Sequence, residues 1–176
     1  PRQPPLLAFG KQKQLQADDS LERASRAYCA NLDHMPGDLE TVRALQQIEE
    51  ERGEFQRAIS RHQQEIEILA QLGEVDPEQG QRIWLRIAEL ARDKTSEIDR
   101  AIEAFGSAAQ FADLSVQRLR EWAELYRTTE NWERFADVFG SWCDARGTPA
   151  GCSDLLVLMD ILIDLGHHDR ALERAE

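Results

Sequence analysis

Few residues in this chain are of a type that does chemistry, and they are scattered. The histidines are His34, His62, His167 and His168, and the cysteines are Cys29, Cys143 and Cys152. His167-His168 lies beside Asp164 and Asp169, donor types that hold a zinc-like ion. Adjacent residues seldom point at one ion, and no further donor is close in sequence, so the pair reads as a solvated turn. Nothing around Cys143 resembles a Cys-His nucleophile pair. The odd, sparse cysteine count argues against a disulfide framework. It leaves open whether Cys143 and Cys152, which bracket a Gly/Pro-containing loop, approach each other. No glycine-rich phosphate loop, His-Glu-x-x-His or paired-cysteine spacing occurs. The sequence therefore predicts no catalytic residue, no bound metal and no cofactor.

Charge narrows the partners. Asp and Glu number 33 against 21 Lys and Arg, a formal net charge of −12. Phosphate backbones and anionic membrane surfaces are repelled by such a chain, and no Lys/Arg run offsets this. The most apolar stretch, residues 155–165, is interrupted by Asp160 and Asp164 and is too short to span a bilayer. No signal peptide is visible, so a cytoplasmic location is expected. The chain starts at Pro1 and stops in the helical pattern ALERAE, which reads as a piece of a longer protein.

The elements that position these residues are all helical in pattern. Apolar residues recur at helical spacing, and no segment alternates with period two. After an extended lead-in at residues 1–5, the pattern predicts helical hairpins at about 6–36, 38–72, 78–113, 115–145 and 152–176. In the first, Asp18-Asp19-Ser20 reads as the N-cap of a second helix carrying Ala24, Tyr28 and Leu32. Asp76-Pro77 reads as a start signal within a loop over 73–80. The richest stretch runs from Trp122 to Trp142, with Tyr126, Trp132, Phe135 and Phe139 between. Rings at that spacing are packing surfaces, and Phe139→Ala is expected to cost about 3–5 kcal/mol.

One position repeats: Ala24, Ala58, Ala101, Phe135 and Ala171 fall at intervals of 34, 43, 34 and 36. The extended helix and loop around residues 70–80, where an insertion costs little, account for the long interval. The third unit reads Trp84, Ile87-Ala88, Ala91, Ala101, Phe105 and Ala108, and the fourth Leu119, Trp122-Ala123, Tyr126, Trp132, Phe135 and Phe139. With a period of about 34 residues and two helices per unit, the chain resembles the tetratricopeptide repeat family over nearly all of residues 6–176. The motifs are degenerate: Gln46 and Met159 stand where the family has a small first-helix residue, and Phe135 where it has Ala. Helix spacing there must widen. The resemblance implies an all-α fold, a right-handed α-α superhelix of antiparallel hairpins.

It also implies a function. First helices of such arrays line a concave groove that takes peptides or partner helices, which makes the expected protein a non-catalytic scaffold. A helper domain attached to an enzyme or signalling module outside these residues is the alternative. By the resemblance, the groove positions are Arg43, Gln47 and Glu50, then Leu85, Glu89 and Arg92, then Arg120, Glu124 and Arg127, then Leu156, Asp160 and Ile163. Stacked, Gln47, Glu89, Glu124 and Asp160 form an acidic column flanked by Arg92 and Arg127, suited to a peptide with basic residues. The competing expectation is that these charges pair within their own helices, Glu89 with Arg92 and Glu124 with Arg127. The Asn and Lys of the family's carboxylate-clamp grooves are missing here. A monomer is expected, or a dimer driven by an apolar end around Leu155, Leu158 and Ile161.

Overall fold

The computed structural model describes residues 6–146 and 152–173. Its helices are α1 (Leu6–His34), α2 (Leu39–Glu51), α3 (Phe55–Leu72), α4 (Pro77–Leu90) continuing into a π turn (Ala91–Thr95), α5 (Ile98–Phe111), α6 (Val116–Thr128), α7 (Trp132–Ala145), α8 (Cys152–Asp164) and α9 (His168–Glu173). There is no strand among the described residues. The pairs α2–α3, α4–α5, α6–α7 and α8–α9 are hairpins, and each helix otherwise packs on its neighbours along the chain, with the π turn also reaching α3. Starts are set by polar caps: Asp38, Asp76, Ser115 and Asn131 each accept from a backbone N–H two or three residues on. Pro77 sits at the first position of α4, where its missing N–H costs nothing.

The first expected hairpin is not formed. α1 runs unbroken through Asp18-Asp19-Ser20. No Pro or Gly interrupts the chain between Gly10 and Pro36, and the acids are drawn into pairs one turn apart, Asp19 with Arg23 and Glu22 with Arg26. α1 packs mainly on α2, and Leu32 joins Val42 and Leu45 of α2 and Ile68 of α3 in one apolar cluster, while Tyr28 is exposed. The lead-in at residues 1–5 lies outside the described residues.

Four hairpin turns share one device. Gly53, Ser96, Glu130 and Gly166 all have positive φ, and each stands two residues before its second helix. Left-handed backbone closes the first helix and reverses the chain. After α2, α6 and α8 the next N–H bonds back to a carbonyl five residues earlier (Glu54 to Glu49, Asn131 to Tyr126, His167 to Leu162). After α4 the bond is Glu97 to Ala91, one residue longer, and the π turn absorbs that residue. Only two of these turns carry Gly. Ser96→Gly and Glu130→Gly should each stabilise by about 0.5–1 kcal/mol, because a Cβ is disfavoured there. Denaturant midpoints of the single variants check this.

The extended helix α3 accounts for part of the long repeat interval, and the loop after it does not. The loops α3–α4 and α5–α6 are both four residues long. The nine extra residues divide as four in α3, which has 18 residues against 14 in α5, and five in the first arm of the next hairpin, which starts 21 residues before α5 where α6 starts 16 before α7. Gly80 falls inside α4 rather than in a loop, and the ring of Phe111 fills the place its Cβ would take, which only glycine permits.

Small residues sit at the helix crossings, as the repeat requires: Ala58, Ala88, Ala101, Ala108 and Ala123 are 0–1% exposed. Phe135 is accommodated at the tight position because it packs against Ala123 of the facing helix. Its ring stacks on Phe139 at 5.0 Å, which stacks on Trp142 at 5.0 Å. Phe139 itself is half-buried, so its truncation costs less than the sequence suggested. The fully enclosed ring is Phe105.

Candidate interaction face

The first helices α2, α4 and α6 are joined side to side by a ladder of ion pairs. Both carboxylate oxygens of Glu50 accept from Arg86, whose Nη1 also donates to Glu89 at 3.1 Å. Arg118 Nη2 donates to the other oxygen of Glu89 at 2.5 Å and its Nη1 to Glu121 at 2.8 Å. Arg92 donates to Glu121 at 3.1 Å and to Asp93. Burial pushes the Glu50 carboxyl up, but hydrogen bonds from Arg86 and His62 outweigh it and hold the group below the usual carboxylate range. Glu121 behaves likewise, with Gln117, Arg118 and Arg92 outweighing its burial. Stability from these two groups is present above the ordinary carboxylate range and is lost as pH falls through their depressed values.

The ladder corrects the expected column. Glu50, Glu89 and Arg92 belong to it, but Glu89 is already held between two arginines. Gln47 lines the cleft beside the ladder residue Arg86, and Glu124, Asp160 and Arg120 are exposed without joining the ladder. Equivalent positions do not stack. Glu89, the repeat equivalent of Glu124, meets Arg118, and Arg92, the equivalent of Arg127, meets Glu121, each six residues nearer the start of α6. Side chains that meet across successive first helices are therefore six positions out of repeat register. Of the two within-helix pairs considered, Glu124–Arg127 forms at 2.7 Å, whereas Glu89 takes Arg86 and Arg118 instead of Arg92. Arg86, Arg118 and Glu121 were missed. Their signal is the Arg-x-x-Glu spacing in both Arg86/Glu89 and Arg118/Glu121. Of the apolar groove positions, Leu85 packs against the core, and Leu156 and Ile163 are exposed on α8.

Between α2 and α3 the small-residue position is filled by Gln46, which joins a buried polar cluster. Gln46 Nε2 donates to Glu65 at 2.8 Å and to the Arg61 carbonyl at 3.3 Å, and Arg43 Nε donates to Glu65 at 2.7 Å. His62 Nε2 lies 3.1 Å from Glu50. Glu49 is less well served. It is 2% exposed, meets Arg61 only at 3.5 Å, and its Oε2 has no partner. Burial pushes its carboxyl up. That cost is absent below the ordinary carboxylate range and grows as pH rises towards the raised value. Glu49→Leu should therefore stabilise by about 1 kcal/mol at neutral pH, with the gain shrinking in acid. Denaturation midpoints at the two pH values check the sign.

Where α2, α3 and α4 meet, a cleft of about 630 Å³ opens, lined by Arg43, Gln47, Glu65, Gln79, Arg82 and Arg86 among others. At the other end of the array, Trp132, Leu156, Val157, Ile163 and Leu172 are exposed. The apolar end expected around Leu155, Leu158 and Ile161 is thus differently composed, since Leu158 is buried and Leu155 and Ile161 pack against the core. His167 faces Glu133 of α7 at 3.7 Å, and no three metal-ligating side chains cluster among the described residues. Cys143 is buried, Cys29 is half-buried, and the side chain of Cys152 lies outside the described residues. No described helix is long and apolar enough to cross a membrane.

These elements define an α-solenoid of antiparallel hairpins, a tetratricopeptide-like helical repeat. Solved structures agree. The chain is similar to the crystal structure of a MamA protein, with a TM-score of 0.52 and 15% identity over 96% of this chain and 85% of that one. It is equally similar to a putative kinesin light chain with nearly identical TPR-like repeats from Podosopora anserina, with a TM-score of 0.52 and 14% identity over 96% and 88%. No protein-family model and no curated protein sequence matches the chain. Identity this low carries the fold alone.

Proposed function

We propose that this repeat segment is a non-catalytic scaffold that holds an extended peptide or partner segment on the face formed by α2, α4 and α6. The observation that carries the reading is the open cleft at the start of that face. Its ladder-bound neighbours are fixed, while the side-chain amides of Gln47 and Gln79 have no partner among the described residues. Unpaired amides on rigid helices suit a strand of peptide backbone, which needs one donor and one acceptor per residue. The exposed charges Arg120, Glu124, Arg127 and Asp160 lie outside the ladder and act as its rim at most.

A panel of labelled peptides covering acidic, neutral and basic compositions tests this. At least one class should bind saturably, and Gln47→Trp, which fills the cleft from an exposed position, should weaken that binding about tenfold or more with helicity unchanged. Binding undiminished by the indole would rule out the cleft.

A further inference from the structure

Within that proposed face, we infer that the cleft between α2, α3 and α4 reads acidic side chains, so that its partner is a peptide segment bearing Asp or Glu. The carboxylates of the cleft are already paired. Glu65, the carboxylate in the cleft wall, is 5% exposed and accepts from both Arg43 and Gln46. Glu50, beside it, is occupied by Arg86 and His62. No unengaged carboxylate faces a ligand from the cleft lining.

The cations are not all spent. Arg86 uses Nε, Nη1 and Nη2 in the ladder. Arg43 uses only Nε, which pins its guanidinium on buried Glu65 and leaves both Nη groups open. Arg82, exposed on α4, has no ion pair or hydrogen bond among the described residues, although Glu78 stands one turn before it. Two guanidinium heads with unfilled donors, one of them pre-oriented, flank the free amides of Gln47 and Gln79. Guanidinium forks match carboxylates in geometry as well as charge. In a chain of net charge −12 this is a local reversal of sign, and it runs against the basic partner that the sequence suggested.

The test uses C-terminally amidated nonapeptides of alternating Ala with Glu, Gln or Lys, labelled with fluorescein and followed by anisotropy. Amidation leaves only side-chain carboxylates on offer. The Glu peptide should bind tightest, lose affinity with added salt, and bind Arg82→Glu about tenfold more weakly, while Arg134→Glu, exposed on α7 away from the face, changes nothing. Preference for the Gln or Lys peptide, or indifference to Arg82→Glu, overturns the acidic assignment and leaves the scaffold reading standing. If no peptide of any class binds, the scaffold reading fails with it.

Discussion

Truncating Phe105 to alanine lowers stability by about 3–5 kcal/mol, the range for a ring removed from a fully packed site. Phe105 is 0% exposed and lies in the cluster that runs from α3 through α6. Ala101, Ala104 and Ala108 surround it on its own helix, and Trp122 stacks on it at 6.4 Å. Alanines at helix crossings have no side chain to extend into the space a missing ring leaves, so the cavity stays open. Phe139→Ala, with a half-buried ring, should cost less than half as much. Urea denaturation of both variants checks the order as well as the size. Equal losses at the two positions would contradict this account of the core.

Replacing Glu65 with leucine costs about 2–3 kcal/mol, although it puts an apolar side chain into a buried place. The loss comes from what is left behind. Gln46, 7% exposed, keeps only the Arg61 carbonyl at 3.3 Å, and the Arg43 guanidinium loses its anchor. A buried donor without a partner costs more than a hydrogen bond contributes. The double variant Gln46→Leu with Glu65→Leu should recover most of that loss, because it removes both halves of the pair. Nearby Glu49→Leu goes the other way, since its Oε2 has no partner to begin with. The three signs together, read from denaturant midpoints, separate a satisfied buried cluster from an unsatisfied one.

Much of the architecture was legible because local signals and packing agree. Asp76 caps a helix where the sequence placed a start signal, and the alanine repeat falls on helix crossings. The Asp18-Asp19-Ser20 cap failed because a cap needs a break behind it, and no Gly or Pro supplies one. The turns at Ser96 and Glu130 take positive φ without glycine because closing the hairpin around a packed core outweighs a cost of about 1–2 kcal/mol. The interaction face was harder to read. Repeat logic places equivalent residues in one column, but across neighbouring first helices Glu89 meets Arg118, six positions from its repeat equivalent Glu124. Sequence also shows every arginine as equally available. Only the geometry separates Arg86, with all three guanidinium nitrogens engaged, from Arg82, whose guanidinium has no partner among the described residues.

The central claim is that peptides lie across α2 and α4 at the cleft. The most direct measurement is photo-crosslinking with the tightest-binding peptide of the panel, carrying a benzophenone at successive positions, followed by mapping of the modified residues. The account predicts adducts around Gln47, Gln79 and Arg82. Adducts confined to the exposed apolar residues Leu156, Val157 and Leu172, or to the outer surfaces of α3, α5 and α7, would contradict it.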